Sequence, residues 1–274
     1  MDYRQSLRSS KSTKAQYRLI SWLSPLILII LWIVLTEGGI VKELYLPSPT
    51  SVLSAAGDIG WNLVGHTLST LTRTMLGLGL GGILGFSWGI LMAHSSLIYA
   101  ISNNIVEAWR PVPPVALIPF FLLWFGFSNL GKIVLVTLGV GLVVLVDTYE
   151  SARSIHPNLL RAAYCLGAKK SETLINILVP ATLPKIIGGL RVAAAIGIGL
   201  EVVSEFMGAQ NGLGYLINVS KVTFRTPTIL LCTIILGIIS WQIDYVIRAV
   251  MKRLTFWAEY RQDSSNSTEN IIQS

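Results

Sequence analysis

LSTLTRTMLGLGLGGILGFSWGILM, residues 68–92, holds one charged residue, Arg73, in an otherwise apolar and small-residue run. As a helix it would extend about 37 Å at 1.5 Å per residue. That exceeds the ~30 Å hydrocarbon layer of a bilayer. Gly77, Gly81, Gly85 and Gly89 recur every fourth residue along it. Small residues at that spacing share one helix face and let a neighbouring backbone approach closely in lipid. The run therefore reads as a membrane-spanning helix with a packed glycine face, and Arg73 as a lone charge within snorkelling reach of an interface.

Similar runs lie on either side. Upstream, residues 19–35 form a first span with Pro25 near its start. Downstream, residues 98–125 form a third region broken by Pro111, Pro113 and Pro114. Broken backbone at membrane depth is tolerated where protein or an aqueous cavity covers it. Residues 130–146, 186–207 and 227–251 complete a set of about six spans. Residues 50–63 are too mixed to span and read as an interfacial segment.

Composition agrees with a chain solvated partly by lipid. Of the 274 residues, 52% are hydrophobic and 13% are Asp, Glu, Lys or Arg, with a net charge of +7. Ordinary soluble domains carry about 25% charged residues. The basic residues sit at the ends of apolar runs, which disfavours a nucleic-acid surface and suits membrane orientation. Residues 1–18 form a basic leader, with no convincing cleavage site after the first span. Residues 254–274 are a polar tail, expected to be disordered, and 19–253 form the transmembrane domain. The leader, the segment 147–185 and the C-terminal end hold most Lys and Arg, so all three are expected in the cytoplasm. The loop 36–66 has only Lys42 against Glu37, Glu43 and Asp58 and suits the outside. Cys165 and Cys232 are too far apart in sequence and context to suggest a disulfide framework or a metal site.

The segment 147–185 carries the most informative pattern. It reads Arg161-Ala162-Ala163-Tyr164-Cys165-Leu166-Gly167-Ala168-Lys169-Lys170, running on to Ile177-Leu178-Val179-Pro180. Pro157 suits a first helical turn. Gly167 suits a helix end. Ser171-Glu172 is expected to open a second short helix that Pro180 stops.

This pattern resembles the cytoplasmic coupling element of bacterial ABC importer permeases: Glu-Ala-Ala, three residues, Gly, nine residues, Ile, one residue, Leu-Pro. Ala162, Ala163, Gly167, Ile177 and Pro180 match in register, while Arg161 and Val179 depart from the pattern. In that family the element docks in a groove of the ATPase subunit. The resemblance implies an all-α, polytopic type I ABC importer permease fold of about six transmembrane helices with a cytoplasmic coupling helix. Arg161, Ala162, Ala163, Gly167, Ala168, Ile177 and Pro180 are then the ATPase-coupling residues.

A second likeness covers residues 46–253. Arg110-Pro111-Val112-Pro113-Pro114, Ala116-Leu117-Ile118-Pro119 and Leu123-Trp124-Phe125-Gly126 resemble the third-span signature of alkanesulfonate, taurine, nitrate and bicarbonate permeases. Leu46-Pro47-Ser48-Pro49 and Gly208-Ala209 with Gly212-Leu213-Gly214-Tyr215 are also similar to that group. The Trp124-Phe125-Gly126 form points to the sulfonate and taurine branch, with nitrate, bicarbonate or a thiamine-precursor pyrimidine as alternatives. The resemblance implies several partners: ABC ATPase subunits, an external or periplasmic substrate-binding protein, and a second permease copy in a homodimer. It places the chain in the bacterial inner membrane, in contact with lipid, with both termini inside. ATP and magnesium belong to the partner ATPase.

Charges within spans are costly and default to functional readings. Glu201 and Glu205 are one helical turn apart and share a face, with Arg191 or Arg110 as conceivable partners; the resemblance carries over Glu205. Together with Arg110, Pro111, Pro113 and Pro114 they are the candidates for the translocation path. Asp244 reads as a lone structural charge. Gly126 to Gly131-Lys132 imitates a phosphate-binding loop, but Ile133 stands where Ser or Thr should hold magnesium. No metal-ligand spacing and no catalytic constellation is present in the sequence, which argues against an enzyme. An ion-coupled carrier or channel is the rival class, disfavoured by the coupling pattern and by the lack of visible internal repeats.

Overall fold

The computed structural model describes residues 23–258. The leader 1–18, the start of the first span and the tail beyond 258 lie outside the described residues. All regular structure among the described residues is helical. The chain forms two compact units, one of residues 23–60 with Val219–Leu231, the other of Trp61–Asn218 with the chain from Cys232 onward.

In the smaller unit, α1 (Leu23–Glu37) is followed by a loop and α2 (Pro49–Ile59). Trp32 Nε1 donates to the Pro47 carbonyl at 3.0 Å, fixing the loop against α1. Ser48 caps α2 by accepting the Ser51 amide, and Pro49 sits where a missing N–H costs nothing. Gly60, at φ +57°, ends the helix.

The larger unit is built on α3 (Trp61–His94) and α6 (Asn129–Arg153). Their contact explains the glycine ladder. A Cβ on Gly81 would lie 2.7 Å from the Thr137 carbonyl and 2.9 Å from Val140, and one on Gly89 would meet Leu145 O at 2.7 Å and Thr148 at 2.8 Å. The two backbones are thus closer than any side chain on that face would allow. α3 is longer than its apolar run because the mixed residues 61–67 continue the helix without a break. α6 likewise runs past residue 146 to Arg153, carrying the first residues of the polar segment as helix.

Between α3 and α6 lie α4 (Ser96–Trp109), a 3₁₀ turn (Pro114–Leu117) and α5 (Ile118–Phe125). The pair bends by 87° at the prolines. Pro111, Pro113 and Pro114 lack N–H donors, and although Arg110 is still helical, Pro113 before Pro114 is extended at φ −68°, ψ 122°. Gly126 at φ +60° then turns the chain and Ser128 caps α6. Gly126 to Lys132 is a turn running into the start of α6, not the strand-to-helix turn of a phosphate-binding loop. Lys132 Nζ donates to the carbonyls of Phe127, Ser128 and Gly208 at 3.0–3.3 Å.

After α6 come α7 (Pro157–Cys165), α8 (Lys170–Thr173), a π-helical turn (Leu174–Leu178) and α9 (Val179–Thr182). Long helices α10 (Ile187–Gly208) and α12 (Thr226–Leu254) flank α11 (Leu213–Val222). Among the described residues, four helices (α3, α6, α10 and α12) are long and apolar enough to cross a membrane, and the bent pair α4–α5 makes a fifth candidate. The described part of α1 is a shorter apolar helix. The core of the larger unit joins Val136, Val140 and Val144 of α6 to Ala193 and Leu200 of α10. A second cluster packs Ala194 and Ile198 against Leu213, Cys232, Ile239 and Ile243.

Pro180 does not stop the second short helix. The Val179 amide reaches back to Leu174 O, an i→i−5 bond. That widened turn relieves the clash a proline makes with the carbonyl four residues earlier, so the helix continues to Thr182.

Candidate functional site: a buried charge hub, a broken span and an exposed coupling segment

At the N-terminal end of α6 and the C-terminal end of α10, Arg73 joins four elements. Its Nε donates to Glu201 Oε1 at 2.5 Å and its Nη2 to Glu205 Oε1. Nη1 reaches Asn129 Oδ1 at 3.1 Å and Asn211 Oδ1 at 3.0 Å. Arg73 is 4% exposed, Glu201 0% and Glu205 1%. Arg73 is thus neither lone nor snorkelling, and the acids pair with it rather than with Arg191 or Arg110. Arg191 instead bonds Asp244, which also pairs with Arg248 at 2.7 Å, so Asp244 is not alone either.

The sequence spacing explains the meeting. Thr70 and Arg73 lie three apart, and Glu201 and Glu205 four apart, so each pair shares a helix face. Thr70 Oγ1 donates to Glu205 Oε1 at 2.7 Å and accepts the Leu213 amide at 2.8 Å. Gly214 N–H donates to Glu205 Oε2 at 2.6 Å, and Gly212 N–H to His66 Nδ1 at 3.0 Å. Glu205 therefore caps the start of α11, where a carboxylate faces the unpaired amides and the positive end of the helix. Lys132 lies close enough to interact electrostatically with Arg73 and both acids, giving two cations for two anions. Among the described residues no hydrogen bond reaches Glu201 Oε2. The three charged side chains are buried and the two asparagines at their rim are exposed, so the hub clamps α3 to α10 just beneath the surface. Sequence reasoning missed Thr70, His66, Asn129, Asn211 and Lys132, and took Arg73 for a bystander. Charge balance was the available signal: two buried acids require buried cations.

Arg110 lies at the break, its side chain 44% exposed, with Nη1 at 3.2 Å from Glu107 and Nη2 at 3.4 Å from Glu150. Pro111 and Pro113 are exposed and Pro114 partly buried. An open apolar cavity of about 490 Å³ runs beside the break, lined by Leu84, Trp88, Ile105, Trp109, Leu138 and Leu142 among others. Neither Glu201 nor Glu205 lines it. The candidates for the path thus divide into an exposed group at the break and a closed pair in the hub.

The segment between α6 and α10 is closed at its base by Lys185 Nζ donating to Ser154 Oγ at 2.7 Å. His156 caps α7, with Pro157 in the first turn. The end of α7 is a Schellman turn: Gly167 N–H bonds Tyr164 O at 3.0 Å and Ala168 N–H bonds Ala163 O at 3.0 Å. Gly167 holds φ +86°, with open space where a Cβ would stand. Glu172 accepts the Lys169 amide at 2.8 Å and so starts α8. Ala163 is buried, whereas Arg161, Ala162 and Gly167 are exposed and Ala168, Ile177 and Pro180 partly buried. Leu166 is 89% exposed, and Leu159, Tyr164 and Ile175 also leave apolar surface uncovered.

Several helices able to cross a membrane, one of them broken, with an exposed helical segment between two long ones, describe a polytopic membrane protein. The chain belongs to the family of binding-protein-dependent transport system inner membrane components, whose model matches residues 77–258. It is 31% identical over 238 residues to the taurine transport system permease protein TauC of Escherichia coli (strain K12), covering 84% of this chain and 86% of that one. It is 31% identical over 238 residues to the putative aliphatic sulfonates transport permease protein SsuC of Bacillus subtilis (strain 168), covering 86% of each. Among solved structures, the inward-facing MetNI methionine ABC transporter matches with a TM-score of 0.58 and 22% identity, over 70% of this chain and 98% of that one. The fold is that of type I ABC importer permeases. The chain is the membrane-embedded permease subunit of an ABC importer, and ATP hydrolysis resides in a separate subunit of such systems.

Proposed function

We propose that the chain imports a sulfonate- or taurine-type anion by alternating access, and that the segment 147–185 receives the ATPase. The observation that carries the substrate class is the likeness to TauC and SsuC across more than four-fifths of the chain. The coupling role is supported by the apolar surface around Leu166, presented on a helix pair whose turn at Gly167 has room for an approaching surface. Two permease copies form one pore, with ATPase subunits at the cytoplasmic face and a substrate-binding protein outside. ATP and magnesium bind the ATPases. Nucleotide binding draws the two coupling segments together and tilts the spans outward; hydrolysis resets them. The segments make different contacts in the two states, as any ligand-driven shift requires.

Arg110, exposed where Pro111, Pro113 and Pro114 break the span, is the cation placed to meet an anion in transit. Glu201 and Glu205 act on the path indirectly, by holding α3 and α10 in register through Arg73. The chain spans the bacterial inner membrane with both termini in the cytoplasm, a reading supported by the Lys and Arg distribution. The leader and tail are cytoplasmic extensions of the transmembrane domain.

The test is uptake of labelled taurine into vesicles carrying this chain with the ATPase and binding protein encoded beside it. ATP-dependent uptake that needs all three components is the expected result. Uptake without ATP would overturn the importer reading. ATPase stimulation by loaded binding protein without taurine uptake would overturn the substrate and redirect it to nitrate, bicarbonate or a pyrimidine.

A further inference from the structure

The turn between α11 and α12 holds Phe224 at φ +54°, a positive value that no other non-glycine residue adopts among the described residues. The turn is tightly bonded: Arg225 N–H reaches Ser220 O at 2.9 Å and Thr226 N–H reaches Phe224 O at 3.0 Å. A bulky L-residue in this region is strained, and Phe224 does not recover the cost by packing, being 74% exposed. Strain that the surrounding structure enforces and the fold does not use points to a functional surface.

Beside Phe224 opens a cavity of about 590 Å³, walled by the loop before α2, by α2 and by this same turn. All its lining residues belong to the smaller unit. Thr226 Oγ1 donates to the Glu43 carbonyl at 3.1 Å, tying the turn to the loop. Glu43, Asp58 and Arg225 all line it, and none of the three forms an ion pair among the described residues. Glu37, Glu43 and Asp58 against Lys42 make the loop 36–66 acidic.

We propose that this cavity and Phe224 dock a loop of the external substrate-binding protein. A lysine or arginine of that loop sits between Glu43 and Asp58, and an apolar side chain packs on Phe224. The inference rests on the importer reading, which puts this loop outside. Three arguments select the occupant. Two unpaired acids attract a cation and repel both a sulfonate and a phosphate headgroup. Aromatic side chains, Phe included, are enriched at protein interfaces, and Phe224 presents one beside this polar cavity. The open cavity of about 590 Å³ has room for several side chains of a protruding loop.

The experiment titrates loaded binding protein against ATPase rate in proteoliposomes holding the complete importer. Phe224→Gly, Glu43→Lys and the milder Glu43→Gln are compared with wild type. Phe224→Gly relieves the backbone strain, so its melting temperature should not fall. The half-saturating binding-protein concentration should rise roughly tenfold for Phe224→Gly and Glu43→Lys, as expected for loss of an interface anchor, and less for Glu43→Gln. The rate at saturation should return to that of wild type. Unchanged half-saturation in all three variants would overturn the docking site and leave the importer reading standing. A wild-type rate indifferent to binding protein would overturn both. An effect that follows the phosphatidylglycerol content of the vesicles would assign the cavity to lipid and overturn the proposal.

Discussion

The amide of Gly214 donates to Glu205 Oε2 at 2.6 Å, and the bond exists because Gly214 has no side chain. A Cβ there would stand 2.6 Å from Val202 O and 2.8 Å from Glu205 Oε2. A Cβ on Gly212 would collide with the same carboxylate. The Gly-Leu-Gly sequence is thus the shape of the Glu205 carboxylate written into the loop.

Gly214→Ala should force the start of α11 away from α10. Overpacking of this kind costs about 1–3 kcal/mol. The expected outcome is a lower melting temperature in detergent, and an unchanged one would mean that the loop reaches Glu205 some other way.

Arg73→Ala should be the most damaging single change in the bundle. It strands two buried carboxylates, and breaking a buried pair typically costs about 3–5 kcal/mol. Arg73→Lys should recover only part of that, because one ammonium cannot serve Glu201, Glu205, Asn129 and Asn211 as the planar guanidinium does. Denaturant unfolding of both variants in micelles checks the order. Equal stabilities for wild type and Arg73→Ala would remove the hub as a structural element.

Two glycines of α3 should respond in opposite directions. A Cβ on Gly85 would lie 3.0 Å from the Leu145 amide nitrogen and closer still to Gly141 O, whereas one on Gly82 meets nothing within 4 Å. Gly85→Ala should destabilise the chain. Gly82→Ala should be neutral or stabilise it by up to about 1 kcal/mol through helix propensity. Thermal unfolding of the two purified variants separates these outcomes, and equal shifts would contradict the close approach of α3 and α6.

Gly167→Asn keeps a residue that tolerates the left-handed region. It should leave ATPase activity coupled to uptake. Gly167→Glu should insert normally and still uncouple hydrolysis from uptake, because a long charged side chain would occupy the space above the Schellman turn. Normal uptake by Gly167→Glu would sink the coupling assignment.

What the sequence revealed followed from local rules. The apolar run at residues 68–92, the prolines after Arg110, and Gly167 at the end of α7 each act on their own neighbours, through hydropathy, a missing N–H and a positive φ. Each could therefore be read without knowing the fold. The limits were local as well: helices α3 and α6 outrun their apolar cores because hydropathy marks the lipid boundary and not the helix end.

By itself, then, the sequence determined the helical class, the break at Pro111–Pro114, the glycine face of α3 and the small turn at Gly167. Only tertiary structure decided which charges meet. Arg73 lies more than a hundred positions from both Glu201 and Glu205. Nothing in its own neighbourhood distinguishes it from a snorkelling arginine. Its role appears when the close approach of α3 and α6, with α10 packed on both, buries it against two acids. There an unpaired charge is too costly to persist.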